Sequence, residues 1–188
     1  MLISHNREKL LNSIVYFAKN TRYLGITKLM KLLYFLDFTH FKQTGKSVTG
    51  LDYYAWEKGP VPSRLWGEIK NIDKHDDLKR TISLSGDKEE FQEIKAKEKF
   101  NPEYFSKREL KLLDKIALIF RDAKAEDMVK VAHLPNDPWD ITIKNMGKDV
   151  IIDYMLALDN KDSLSREIVL ERLAEMREME KIFSHEKR

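Results

Sequence analysis

Residues 26–44 read ITKLMKLLYFLDFTHFKQT, and the rest of the fold is interpreted around this segment. The spacing of its apolar residues predicts a helix from about Thr27 to Thr44, stopped by Gly45, a residue type that commonly ends helices. Apolar residues occupy most of the helix circumference: Ile26, Leu29, Met30, Leu32, Leu33, Phe35, Leu36, Phe38 and Phe41. A helix that is apolar on most sides is usually covered by several neighbours. The segment is therefore predicted to be the buried central helix of the protein.

Four other segments predict helices around this central one. Apolar residues recur at helical spacing over about residues 6–20. Ser106 and Glu109 form a capping box, in which each side chain satisfies the other's backbone N–H group, so a helix begins after Ser106. Residues 128–132 predict a short helix that ends near His133, because Pro135 and Pro138 prevent its continuation. A last helix is predicted over about residues 164–185. The predicted fold class is mainly α, as a single compact helical domain over residues 1–188.

A small β element is predicted between these helices. Aromatic residues within 53–56 favour extended backbone, and the prolines of residues 59–62 (GPVP) each fix a φ angle. The GPVP segment is interpreted as a rigid elbow leading to the next helix, with a partner-docking surface as the alternative. Residues 81–84 and 94–97 indicate a loose hairpin, although residues 87–97 could instead be helical. The central helix is thus combined with a small β hairpin or sheet.

The charges of the chain are balanced in sign. It has 34 Lys and Arg against 31 Asp and Glu among 188 residues, a formal net charge of +3. Such a mixture predicts no strong field toward a nucleic acid or a membrane surface. The absence of cysteine excludes disulfides, thiol catalysis and cysteine-ligated zinc. With no apolar run near ~20 residues and charged residues close to the N-terminus, we expect a cytoplasmic protein without membrane contact.

The sequence contains no motif for catalysis or cofactor binding. The five histidines lack paired metal-ligand spacing, and the seven glycines form no phosphate-binding loop. His133 lies near Asp137, but hydrogen bonding within its own proline-containing loop is the simpler role. Residues 73–77 are interpreted as a solvated turn. We therefore expect no enzymatic activity, no metal and no cofactor.

Two further sets of side chains are assigned by their usual environments. Lys28, Lys31 and Lys42 could contact phosphates, but the acidic residues interleaved along the chain favour a solvated face for them. The chain has three tryptophans, all expected in the core: Trp56, Trp66 and Trp139.

Three segments in a defined order carry a family resemblance. They read TKLMKLLYFLD from Thr27, TGLDYYAWEKGPVPS from Thr49, and HLPNDPW from His133. In this order and spacing they resemble the Panacea domain of SocA- and GepA-like, phage-associated antitoxins over about residues 24–140. Glu57-Lys58 departs from the pattern, since an aromatic residue often precedes the glycine there. The residues that match the family motifs, with a structural or partner-binding role, are Lys31, Tyr34, Asp37, Tyr53, Trp56, Gly59, Pro60, Pro62, His133 and Trp139.

The resemblance implies a function in a toxin–antitoxin system. Its implied partner is a cognate toxin protein encoded by an adjacent gene, which the antitoxin neutralises by direct protein–protein binding. Two alternatives remain open: an adaptor that delivers a partner to a protease, or a DNA-binding autoregulator. A nucleic-acid partner is not expected, because no separable helix-turn-helix domain is visible. A homo-oligomer is possible.

The last predicted helix leaves its own role open. Val169 and Leu173 continue into an apolar stripe that ends in Met176, Met179 and Phe183. Such a stripe must cover something, either its own domain or another chain. Because methionine surfaces adapt to varied partners, these three residues form a candidate partner-binding helix, with a place in the core as the alternative.

Overall fold

The computed structural model describes residues 5–87, 91–158 and 165–185, without the side chains of 176, 177 and 179–185. The described helices are α1 Asn6–Asn20, α2 Ile26–Thr44, α3 Ser63–Lys70, α4 Asp76–Thr81, α5 Lys107–Ile119, α6 Ala125–Val131, α7 Pro138–Met146 and α8 Arg166–His185. The strands are β1 Tyr54–Trp56, β2 Gly59–Val61, β3 Ile82–Ser85 and β4 Glu93–Ala96. Single 3₁₀ turns lie at Ile72–Lys74, Pro102–Tyr104 and Tyr154–Ala157. The predicted mainly α class is confirmed.

Helix α2 is the centre of the fold, as its apolar pattern predicts. It contacts α1, α3, α5, α6 and strand β2, and most of its residues are buried. It ends where Gly45 adopts a φ of 74° and donates its N–H to the carbonyl of Phe41. This left-handed cap costs a glycine little, because it has no Cβ.

Two antiparallel hairpins complete the fold. Strands β1 and β2 pair through a two-residue turn, with Trp56 opposite Gly59. The other edge of β1 pairs with residues 149–152, since Ala55 N–H donates to Val150 O at 2.9 Å and Ile152 N–H to Tyr53 O at 2.8 Å. Strands β3 and β4 form the second hairpin. The sequence analysis had left a helix over residues 87–97 as the alternative, and β4 shows that residues 93–96 are extended. The GPVP segment is thus a strand that leads into α3.

Two helices lie where the sequence analysis placed none. Residues 73–77 were interpreted as a solvated turn, but they belong to a 3₁₀ turn and to α4, and Asp77 accepts a hydrogen bond from Arg7 at 2.7 Å. Helix α7 begins at Pro138, whose missing N–H costs nothing at a first helical position. Proline at 138 therefore starts a helix instead of only ending one.

The last helix is anchored to the domain at its N-terminal end. Val169 is buried against Phe41, and Arg172 donates to the carbonyl of Thr44 at 3.2 Å. The side chains of Met176, Met179 and Phe183 lie outside the described residues. No described helix has the length and apolar character needed to cross a membrane.

Candidate functional site

The structure brings together nearly all of the family-motif residues. Helix α2 contributes Lys31, Tyr34 and Asp37, which lie on one face because they are three residues apart. The hairpin β1–β2 packs on this face, and the segment from His133 to Trp139, which runs from the end of α6 into α7, packs against the hairpin. The motif residues carried by these two covers are Tyr53, Trp56, Gly59, Pro60, His133 and Trp139. Pro62 lies farther along, at the N-cap of α3.

Asp37 is a fully buried carboxylate that holds the start of the hairpin segment to α2. Its Oδ1 accepts the backbone N–H groups of Val48 and Thr49 at 2.8 and 2.7 Å. Its Oδ2 accepts the hydroxyl of Thr49 and the hydroxyl of Tyr53, the latter at 2.8 Å. Burial raises the pKa of Asp37, while these donors act against the increase. Four donors on one carboxylate make Asp37 a structural centre.

Lys31 lies one and a half turns earlier and has far fewer partners. Its side chain is 1 % exposed, and its Nζ donates to the carbonyl of Pro60 at 2.9 Å. Burial is the cause that lowers its pKa to about 7. Lysine has three N–H donors, so one acceptor leaves the ammonium under-satisfied among the described residues.

His133 lies beside this lysine under the hairpin. A Cβ built on Gly59 would lie 2.8 Å from Lys31 Nζ and 2.9 Å from His133 Nε2. Both nitrogens are therefore close to this glycine, and any larger residue would contact them. Gly59 also has a φ of 98°, a second reason for glycine at this motif position. The Nε2 of His133 is buried and has no hydrogen-bond partner among the described residues. Burial and the Lys31 charge lower the pKa of His133, and the nearby backbone of Lys58 acts against this decrease.

Trp139 fixes the orientation of His133. The two rings are stacked with centroids 3.8 Å apart and planes within 4°. Trp139 Nε1 donates to the carbonyl of Trp56 at 2.9 Å, which joins α7 to the hairpin. The hydroxyl of Tyr34 is buried nearby without a hydrogen-bond partner among the described residues, and burial together with Asp137 raises its pKa.

A cavity opens beside Lys31, between α2, the hairpin and α3. Its volume is about 530 Å³. The lining residues are Thr27, Met30, Lys31, Trp56, Glu57, Lys58, Val61, Trp66, Lys148 and Asp149. We call this space the Lys31 cavity. Its size lies within the roughly 300–1,000 Å³ typical of binding pockets.

Lys28 is the other buried lysine of α2, and all of its donors are used. Its Nζ donates to the carbonyls of Arg22 and Ala123 at 2.7 Å each and of Arg121 at 3.1 Å. It thereby joins α2 to the loop before it and to the end of α5. Lys28 is not among the motif residues, and no spacing in the sequence marks it.

Several residues lie elsewhere than expected. The solvated face predicted for Lys28 and Lys31 is wrong, since both are buried where backbone carbonyls accept their N–H groups. Trp66 is not in the core, because it packs edge-on against Trp56 with 36 % of its surface exposed. Trp56 and Trp139 are half-buried.

Tyr154 is a member of the cluster that the sequence analysis missed. Its ring stacks on Phe38 at 4.3 Å, and its hydroxyl donates to the carbonyl of Leu51 at 2.7 Å. It comes from a 3₁₀ turn about a hundred residues away along the chain, with no local motif to indicate it. Within the described part of the chain, no group of three or more His, Asp or Glu side chains is placed to hold a metal ion.

Comparison with known proteins identifies the family. The model of the family described as "Antitoxin SocA-like, Panacea domain" matches residues 29–140, which span the central helix, the hairpin and the His133–Trp139 segment. The chain belongs to this antitoxin-like family. No curated protein and no solved structure shows a significant match.

Proposed function

We propose that the protein is the antitoxin of a toxin–antitoxin pair and neutralises its toxin by direct contact, without catalysing a reaction. The observation that carries the proposal is membership of the SocA-like antitoxin family over residues 29–140. The partner would be the product of an adjacent gene, and both proteins would meet in the cytoplasm.

The chemistry of the motif cluster supports a binding role. Asp37, the buried acid of the cluster, accepts four hydrogen bonds within the fold and so has no lone pair positioned for general-base work. The cluster groups that retain bonding capacity among the described residues are Lys31, His133 and Tyr34, and Lys31 lines a cavity with two tryptophans in its wall. Tryptophan is one of the residue types enriched in protein-interface hot spots, which lie in well-packed pockets.

The test is growth rescue combined with co-purification. The gene next to this one is induced with and without the full chain, and the expected result is rescue of growth together with a stable complex. An interface of at least about 1,200 Å² is expected for such a complex. Lack of rescue with every adjacent gene, while both proteins stay soluble, would refute the proposal.

The same experiment separates direct neutralisation from protease delivery. Direct neutralisation requires that the purified complex be inactive in vitro and that rescue persist in cells that lack the relevant proteases. If rescue needs a protease and the bound partner remains active in vitro, the protein is an adaptor. Specific retention of the promoter DNA by the chain alone would indicate an autoregulator.

A further inference from the structure

The Lys31 cavity combines a buried cation with an apolar wall. Met30 and Val61 line it beside Trp56 and Trp66, and the two indole rings meet edge-on with centroids 5.5 Å apart. Trp66 leaves 36 % of its surface exposed, so this wall is accessible from outside. A partner side chain that enters here would cover two tryptophans at once.

Lys31 brings a charge that nothing in its surroundings balances. No carboxylate among the described residues is close enough to contribute to its pKa, which burial alone lowers. A buried ammonium without an anion is unfavourable, whereas the same ammonium paired with a carboxylate and further hydrogen bonds is not. His133 Nε2, which has no hydrogen-bond partner among the described residues, lies near the same side of Gly59 as Lys31 Nζ. The cluster thus lacks one negatively charged acceptor.

The rim does not supply this acceptor. Glu57 is paired with Lys148 at 3.4 Å, and both side chains are largely exposed. Lys58 adds another positive charge, and Asp149 is exposed on the opposite strand segment. The lining therefore carries three lysines against two acids, with the deepest charge positive.

We propose that the Lys31 cavity receives an acidic side chain of the partner protein, whose carboxylate pairs with Lys31 while an adjacent apolar side chain of the partner packs on Trp56 and Trp66. This inference rests on the proposed function, because it assumes a protein partner. To the proposed function it adds where the partner protein binds and that an acidic side chain of the partner occupies the cavity.

The pairing has a defined pH dependence. Only the protonated amine attracts a carboxylate, and pairing with the carboxylate favours that form, so binding takes up a proton when the free amine is partly deprotonated. The pKa of Lys31 is about 7 in the free protein. The affinity for a carboxylate should therefore fall as the pH rises above about 7, with the steepest possible slope near one decade per pH unit.

A matched pair of small probes tests the cavity without the partner. The full chain is titrated with 3-phenylpropionate and with its neutral analogue 3-phenylpropionamide, and tryptophan fluorescence and lysine NMR signals are recorded. We expect at least about tenfold preference for the carboxylate at about pH 6.5, and loss of that preference in Lys31→Met. Lys115→Met, which removes an exposed lysine of α5, is the matched control and should keep the preference.

Trp66→Ala provides a second variant if Lys31→Met does not fold. Because Trp66 is partly exposed, its truncation should leave the fold intact and weaken both probes about equally. Equal affinity of the wild-type protein for the acid and the amide would overturn the proposal. So would a carboxylate preference that survives in Lys31→Met.

The source of the carboxylate is tested with the neighbouring-gene product. In a complex with that protein, Lys31→Met should weaken binding about tenfold or more, and Lys115→Met should have no effect. If the probes show the preference but the complex is unaffected, the cavity binds a free small carboxylate and the proposal is wrong. Failure of the wild-type chain itself to bind or rescue marks failure of the proposed function, which no variant is needed to detect.

Discussion

Helix α2 buries two lysines one turn apart, and the surroundings of the two differ. Lys28 donates to three backbone carbonyls at 2.7–3.1 Å, so every N–H of its ammonium is used. Lys31 donates to one carbonyl at 2.9 Å and lies beside His133, whose Nε2 has no partner among the described residues. Burial is nearly complete for both, at 0 % and 1 % exposure.

The difference in hydrogen bonding distinguishes a structural lysine, Lys28, from a candidate binding residue, Lys31. Buried polar groups in folded proteins almost always have hydrogen-bond partners, so an under-satisfied group requires an explanation. Asp37 resembles Lys28, since its two oxygens receive four donors. On α2, therefore, Lys28 and Asp37 hold the fold together, whereas Lys31, which lies between them, keeps unused hydrogen-bonding capacity among the described residues.

The largest expected effect is that of Asp37→Ala. Its removal leaves two backbone N–H groups and the hydroxyls of Thr49 and Tyr53 without an acceptor in a dry interior. We expect a loss of roughly 3–5 kcal/mol in the free energy of unfolding, measured by urea denaturation. Asp73→Ala is the control, because that carboxylate is exposed and its ion pair with Lys79 at 3.3 Å should contribute at most about 0.5 kcal/mol.

The direct test of the comparison is the pair Lys28→Met and Lys31→Met. The first leaves three buried carbonyls without a donor and should cost roughly 2–4 kcal/mol of unfolding free energy. The second removes one hydrogen bond but also an unbalanced buried charge, so its net cost near pH 7 should be at most about 1 kcal/mol. Thermal or urea unfolding of both variants gives the difference, and equal losses would show that Lys31 is as structural as Lys28.

The pH dependence of stability offers an independent measure of the same charge. The pKa of Lys31 is about 7 in the folded protein, against 10.5 for a free lysine side chain. Between about pH 7 and about pH 9 the unfolded chain therefore binds more protons, so the stability of the wild type should rise with pH. We expect Lys31→Met to flatten this rise by roughly 2 kcal/mol over that interval. A rise of the same size in both proteins would contradict the pKa assigned to Lys31.

Local sequence patterns were enough to predict most of the helical framework. The apolar residues of α2 and the Ser106–Glu109 capping box depend on neighbours within a few positions, and both are present as predicted. Helix α7 was missed because Pro138 was taken only as a barrier, although proline is well suited to the first turn of a helix.

The polar interior of the site could not be predicted in this way. Lysine is usually solvated, and the carbonyls that allow Lys28 to be buried come from Arg121 and Ala123, more than ninety residues away along the chain. The same holds for Tyr154, whose hydroxyl reaches Leu51 from a distant turn. Trp66 was assigned to the core because tryptophan is commonly buried, but its exposure depends on what covers α3. Contacts distant in sequence have no local periodicity.

The smallest expected effect concerns Trp139, which stacks on His133 and is hydrogen-bonded to the β1–β2 hairpin. Trp139→Phe keeps an aromatic ring to stack on His133 but removes the Nε1 donor 2.9 Å from the carbonyl of Trp56. We expect a loss of about 1 kcal/mol in the free energy of unfolding, the usual contribution of one hydrogen bond, with an unchanged denaturant slope. Trp66→Phe is the control and should change stability by at most about 0.5 kcal/mol, because that ring is partly exposed.

If Trp139→Phe costs no more than the control, the hydrogen bond between α7 and the hairpin contributes nothing to the stability of the fold. If it instead abolishes the carboxylate preference of the Lys31 cavity, Trp139 positions His133 for the ligand. The binding site would then include a residue of α7 as well as Lys31.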